Sequence, residues 1–242
     1  MILNLRNFKN SPITLLLIIM VVMNLLDGSF AHPLDWLMGK LIILPGILIG
    51  LSFHEFAHGY VSYKLGDPTP ERQGRLTLNP LAHIDPFGFF ALLFAGFGWG
   101  VPVRIDPTYY KNKRTGEMLV GLAGVTMNLI IAIITCFIIK GLLHFNPQFL
   151  GGTVGQVLIE MLMAVISINV VLMVFNLLPV PPLDGFGVLT NIFNLRKYPW
   201  YYKVYNNGFP ILMVLIIFNV TGKILTPIVS TVMNLLVNNI IF

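Results

Sequence analysis

"LIILPGILIGLSFHEFAHGY", residues 41–60, opens as an apolar run and closes on two histidines and a glutamate. A helix needs about 20 mostly apolar residues to cross a bilayer, and the run around this stretch, residues 36–63, is long enough. It therefore reads as a membrane span that carries ionisable groups at membrane depth.

The composition agrees. Of 242 residues, 56% are hydrophobic and only 10% are charged, against roughly 25% charged in soluble domains. The mean hydropathy is +0.81. The fold class is an all-α polytopic membrane protein, expected as one integral-membrane domain over residues 1–242. The net charge of +5 is no sign of nucleic-acid binding, because surplus Lys and Arg in such a chain mark cytoplasmic loops and meet anionic headgroups. Cys136, the single cysteine, sits in an apolar run. It excludes an intrachain disulfide and reads as a small core residue.

Outward from the opening stretch, about five to six transmembrane helices are expected. Residues 13–26 follow Arg6 and Lys9 and read as a retained first helix, weighed against a signal peptide cleaved near Ser29, Phe30 and Ala31. Residues 36–63 form the second span, where Pro45, Gly46 and Gly50 should kink or thin the helix. Further spans are expected at 118–140, at 157–178, and from 209 past 220. The tail 224–242 is interrupted by Gly222, Lys223 and Pro227, and reads as a continuation, a sixth crossing or an interfacial helix.

Between the second and third clear spans lies "FGFFALLFAGFGWG", residues 87–100, apolar but short and with four glycines. Lys64, Arg72 and Arg75 precede it, and Arg104, Lys111, Lys113 and Arg114 follow. A crossing would put one basic loop outside; a re-entrant or hairpin element keeps both in the cytoplasm. The N-terminus is then cytoplasmic, as is the loop with Arg196, Lys197 and Lys203, while residues 141–155, free of Lys and Arg, face out.

His54, Glu55 and His58 form an H-E-x-x-H pattern. Residues four apart share a helix face, so both imidazoles can address one metal ion with a glutamate beside them. A charged group in a spanning helix costs roughly 2.5–3.5 kcal/mol on insertion scales, which makes three such groups in one turn hard to explain as packing. A catalytic zinc site usually has three protein ligands. Asp27, His32 and Asp35 lie by the outer end of the second span, and Glu160 at the outer end of the fourth. Asp184 in "FNLLPVPPLDGFG" follows the inner end of that span, on the side of His54 and His58, so helix polarity selects it.

With HEFAH in an early helix and FNLLPVPPLDG in a later one, the chain resembles the site-2 proteases, the intramembrane zinc metalloproteases. The stretch "HEFAHGYVSYKLGDPTPERQGRLTLNPLAHIDPFG" is similar to their compact branch without a PDZ domain, and the likeness covers residues 48–189. The resemblance implies one Zn2+ held by His54, His58 and Asp184, with Glu55 as catalytic base. It implies hydrolysis of a peptide bond in or near the transmembrane helix of a membrane-protein substrate, in the plasma membrane of a prokaryote. Asn176 matches a family asparagine that holds substrate or the oxyanion, although a helix–helix hydrogen bond explains it nearly as well. Asn128 matches the asparagine of a Gly-Pro-x-x-Asn stretch and is expected to support the metal ligands; Val125 stands in the proline's place. Trp99-Gly-Val-Pro102 departs from the commoner Trp-Ala-Lys-Pro and lacks its lysine.

Other features have plainer readings. Residues 74–80, "GRLTLNP", alternate as a short strand would, either to pair with unwound substrate or as a hairpin over the site. His83 and Asp85 fall in a Pro-flanked turn and are left out of the metal shell. Pro179, Pro181 and Pro182 interrupt helix hydrogen bonding so that Asp184 can turn back toward the histidines. Two rival functions remain: a metal transporter, against which the near absence of other charges in the spans argues, and a catalytically silent relative that binds membrane proteins, against which the retained Glu55 argues.

Overall fold

The structure, a computed structural model, describes residue 22, residues 32–95 and residues 98–242. Apart from Val22, the expected first span and the candidate cleavage site lie outside the described residues. The chain divides into two compact units. The first holds the residues up to Ile42 together with Ile84–Val101, and the second holds Ile43–His83 and Pro102–Phe242.

In the first unit, α2 (Pro86–Ala95) is a ten-residue apolar helix. The carboxylate of Asp85 accepts the Gly88 N–H at 2.9 Å, a cap that satisfies one of the free amides at the helix start. Ile84 and Gly100 then pair across an antiparallel bridge, so the segment ends beside the residue where it began. Its glycines are there for contact. A Cβ on Gly88 would lie 2.0 Å from the Trp99 carbonyl oxygen, and one on Gly98 would lie 2.1 Å from that of Gly88.

In the second unit, residues 43–64 of the first long helix and the long helices that follow it pack as membrane helices do. α1 (Pro33–Lys64) runs unbroken for 32 residues with Pro45 inside it. α3 (Lys113–Phe145) and α4 (Thr153–Asn176) follow, of 33 and 24 residues. After them come α5 (Asp184–Phe193), α6 (Pro199–Asn206), α7 (Gly208–Ile217) and α8 (Val220–Leu236), the last ending in a π-helical turn, Val237–Ile241. Among the described residues, Pro33–Lys64, Lys113–Phe145, Thr153–Asn176 and Val220–Ile241 are long and apolar enough to cross a membrane.

Between Leu129 and Ile139, α3 is apolar on every side but for Thr135. Ala132, Cys136 and Ile139 bury against Ile166, Val170 and Val174 of α4 and against Leu236 and Ile241, while Ile134, Phe137 and Ile138 stay exposed. A helix with two apolar faces fits lipid on one side and protein on the other. Without a hydrophobic drive between helices in lipid, small residues let backbones approach. Gly46 and Gly50, four apart on α1, do this: their Cβ positions fall 3.0 Å from the Ala164 carbonyl oxygen and 2.6 Å from Leu172 Cδ1 of α4.

Two expectations change. The span from 209 past 220 is broken: α7 stops at Ile217, and Asn219 turns left-handed (φ 52°) before α8. The tail is thus a crossing-length helix of its own. Gly222 lies inside it, with the Asn219 side chain folded to 2.1 Å from where a Gly222 Cβ would lie. Residues 74–80 form no strand. The Thr77 hydroxyl accepts the Asn79 N–H, the Asn79 carboxamide accepts the Leu81 N–H, and Pro80 opens a 3-10 turn. Local side-chain bonds have taken the backbone groups that a strand would need.

Candidate metal centre

His54 and His58 lie in the last three turns of α1, and their Nε2 atoms are 3.0 Å apart. Asp184, the first residue of α5, places Oδ2 at 3.2 Å from each. Leu177 to Leu183 make the return from α4, and Gly185 is pressed into it: a Cβ there would meet the Leu177 carbonyl oxygen at 2.2 Å. The proline-rich return thus seats Asp184 against α1.

The other ring nitrogens decide what these atoms can hold. His58 Nδ1 lies 2.7 Å from the Val120 carbonyl oxygen, which can only accept, so that nitrogen carries the proton. His54 Nδ1 lies 2.7 Å from Asn128 Oδ1. The Asn128 Nδ2 donates to the Gly50 carbonyl and to Asn169 Oδ1 at 3.1 and 2.9 Å, which makes Oδ1 the acceptor and His54 Nδ1 the donor. Asn169 Nδ2 donates in turn to the Val165 carbonyl at 2.8 Å. As neutral imidazoles, both rings present Nε2 lone pairs to one point, and Asp184 Oδ2, buried with no hydrogen-bond donor, adds a third.

Three acceptors in contact repel one another unless a cation lies among them. The donor set fits zinc: two imidazole nitrogens and one carboxylate oxygen are common ligands, with bonds of about 2.0–2.2 Å. Tetrahedral bonds of that length separate ligand atoms by about 3.3–3.6 Å, within a few tenths of an ångström of the observed 3.0 and 3.2 Å. Among the described residues, His54, His58 and Asp184 are the one group of three or more such side chains close enough to hold a metal ion. Carboxylate, carbonyl or amide partners on the far ring nitrogen fix tautomer and ring orientation in metal sites. Asn128 and Val120 supply that here.

The floor of the site is Gly124. A Cβ there would lie 2.5 Å from His54 Cε1 and 2.6 Å from His58 Nε2.

Glu55 stands apart from the three ligand atoms, half-buried, with Oε2 accepting the Val103 N–H at 2.8 Å. Asn128 is on the site through His54, whereas the Asn176 amide bonds back to the Leu172 carbonyl of its own helix at 3.0 Å. His83 is fully buried and spends Nε2 on the Thr77 carbonyl at 2.8 Å. Sequence reasoning missed Asn169, Gly124, Val120 and Val103. Only Asn169 carried a signal, being a carboxamide inside a span; backbone contacts leave none.

The sequence model of peptidase family M50 matches residues 42–219. The chain is 40% identical over 167 residues to the Bacillus subtilis protein named "Putative zinc metalloprotease YwhC", covering 69% of this chain and 74% of that one. It is 29% identical over 222 residues to "Putative zinc metalloprotease Rip2" of Mycolicibacterium smegmatis, covering 88% and 82%. No solved structure gives a significant match.

Proposed function

The chain belongs to peptidase family M50, the site-2 protease family, and from that premise we propose that it is an intramembrane zinc endopeptidase cutting membrane proteins in or near a transmembrane helix. One observation carries the reading: two imidazole Nε2 atoms and a carboxylate oxygen converge at 3.0–3.2 Å on crossing-length α1 and on α5, with both Nδ1 protons already committed. His54, His58 and Asp184 would hold the ion. When bound, zinc supplies a Lewis acid that polarises a carbonyl and makes water acidic enough to react near neutral pH.

The rest is done by the chain. Glu55 takes a proton from the attacking water and delivers it to the leaving amine as the C–N bond breaks and the new C–O bond forms. The Val103 N–H on Oε2 holds that carboxylate in place. Asn128 and Val120 keep the rings aimed. Asn176, eight residues before Asp184, is assigned the substrate-side contact. A substrate helix must unwind to enter, since a helical amide is shielded by its own hydrogen bond.

The protein is an integral membrane protein. Lys64 ends α1 six residues after His58, roughly 9 Å along the axis, and Arg104, Lys111, Lys113 and Arg114 precede α3. The residues 146–152 between α3 and α4 carry no Lys or Arg. The positive-inside rule then supports a site near the cytoplasmic face of a plasma membrane, with the N-terminus cytoplasmic.

The test uses purified chain in liposomes with zinc and a panel of single-span substrates. Wild type should cut at one position and hold one zinc per chain. Glu55→Gln should hold the same zinc and lose activity by about 10²–10⁴-fold. Equal activity in both, or a wild type that holds zinc and cuts nothing in the panel, would count against the reading.

A further inference from the structure

A strap of chain runs along one side of α1. Glu55, Gly59 and Ser62 follow one another at spacings of four and three, which puts them on one face of the helix. Residues 102–106 lie over that face in neither helix nor strand. Glu55 Oε2 accepts the Val103 N–H, and Val103 Cγ1 falls 3.3 Å from where a Gly59 Cβ would lie. Further along, the Tyr110 hydroxyl meets Ser62 Oγ at 2.7 Å, its ring pressed on Gly116, whose Cβ position is 2.4 Å from Cδ2.

A segment with no ladder of its own is held where its amides are taken. Among the described residues, the backbone of 102–106 donates two hydrogen bonds, from Val103 to Glu55 and from Asp106 to Asp67 Oδ2 at 2.7 Å. Only Arg104 and Ile105 separate the two anchors. Asp67 is fully buried just beyond the end of α1. Its Oδ2 also accepts the Ser62 hydroxyl at 2.7 Å, and its Oδ1 accepts the Thr69 N–H at 2.9 Å. Those two bonds are local, five and two positions away, and would suffice to close the turn after α1. The third reaches 39 positions along the chain, to the strap that carries Val103. Bonds to a carboxylate are shorter and roughly twice as strong as bonds between neutral groups, so this one ties the strap to the end of α1.

We infer that Asp67 is a positioning residue for Glu55: it holds the Asp106 amide, which sets where the Val103 N–H stands and so where the Glu55 carboxylate lies. The inference rests on Glu55 as the base of the proposed peptidase. Asp67 acts through the strap alone. It governs the rate of the chemical step and leaves the histidine rings, tied by Asn128 and Val120, where they are.

The test uses the full chain in nanodiscs with zinc and a single-span substrate. Asp67→Asn cannot accept from all three donors. Asp67→Ser keeps an acceptor for the Thr69 N–H, as serine does in such turns, and falls short of Asp106. Each variant should hold one zinc per chain, with kcat lower by about 10–100-fold and KM within about threefold of wild type. A second readout needs no substrate. Proline labelled at its carbonyl carbon and valine labelled at nitrogen single out two Pro–Val amides for NMR, Val103 and Val180. The Val103 amide proton, held downfield by its carboxylate acceptor, should move upfield in both variants; Val180, on the return to Asp184, should stay. Asp106→Asn is the control. It removes a neighbouring negative charge, keeps a capping side chain for the Thr108 N–H and leaves the Asp106 N–H on Asp67, so rate and amide should match wild type. Thermal midpoints on the same samples identify the variants that are folded at the assay temperature. A folded Asp67 variant with the wild-type kcat and Val103 amide would show that Asp67 only closes the turn, and the inference would be wrong. It would be equally wrong if Asp106→Asn lost as much rate, because the effect would then be one of charge. A wild type that cuts nothing would count against the peptidase reading, and the Val103 amide would still decide whether Asp67 holds the strap.

Discussion

Gly124→Ala should disable the metal centre while leaving the bundle folded. The added Cβ would sit 2.5 Å from His54 Cε1 and 2.6 Å from His58 Nε2, about 1 Å inside the usual contact distance of roughly 3.5–4.0 Å. The rings have little room to yield, because each is tied by a 2.7 Å hydrogen bond, His54 to Asn128 and His58 to the Val120 carbonyl, both on the helix that carries the new methyl group. Either α3 moves away from α1 by about 1 Å or the rings leave the ligand triangle. Overpacking of this kind costs about 1–3 kcal/mol, partly offset by the gain of about 0.8–1.0 kcal/mol for Gly to Ala within a helix. The chain therefore stays folded. A misplacement near 1 Å costs a catalytic site about 10²-fold, and zinc affinity should fall by a similar factor. Gly141→Ala on the same helix is the control, since nothing lies within 4 Å of its Cβ position. The assay is zinc retention against a competing chelator, with thermal unfolding and peptidase rate on the same samples. If Gly124→Ala keeps zinc affinity and rate within about threefold of wild type, the argument that this glycine is the floor of the site is wrong.

Further outcomes follow from other contacts. Asn128→Ala removes the acceptor of His54 Nδ1–H and the donor to Asn169, and should lower zinc affinity by about 10–100-fold in chelator competition. Gly88→Ala should open the α2 hairpin, because its Cβ has no space against the Trp99 carbonyl; added protease should then cleave near residues 84–100 where wild type resists. For the topology of that segment, single cysteines at Glu71 and Lys111 should react with a membrane-impermeant reagent from one face and a cysteine at Gln148 from the other, all three positions being exposed. Glu71 and Lys111 labelling from opposite faces would show that residues 87–100 cross. Asp67, fully buried, would be raised by burial alone, but bonds from Thr69, the Asp106 N–H and Ser62 hold its carboxyl below the usual range. Its stabilising contribution is present above the ordinary carboxylate pKa of about 3.9 and is lost as pH falls through the lower folded value. Unfolding midpoints measured from pH 6 down to 2 should drop in that acid range, and Asp67→Asn should flatten the drop.

Several things were legible in the chain because they depend on local spacing or on the solvent. Long uncharged runs have one stable solution in lipid, so the spans at 36–63, 118–140 and 157–178 could be read to within a few residues of α1, α3 and α4. His54 and His58 share a face because a helix repeats every 3.6 residues. Helix polarity pointed to Asp184, and the structure brings its carboxylate to both histidines.

What tertiary structure decided lies across the sequence. His54 meets Asn128 at a separation of 74 positions, Glu55 meets the Val103 amide at 48, and Asn128 meets Asn169 at 41. No periodicity encodes those pairs; the two made by Asn128 exist because α1, α3 and α4 cross where glycines remove side-chain bulk, and a missing side chain leaves no signal of what it admits. The strand expected at 74–80 failed for the opposite reason: alternation described the side chains correctly, but Thr77, Asn79 and Pro80 had already claimed the backbone groups a strand must share. Apolar content determined where the chain meets lipid, and close backbone approach determined which polar atoms meet each other.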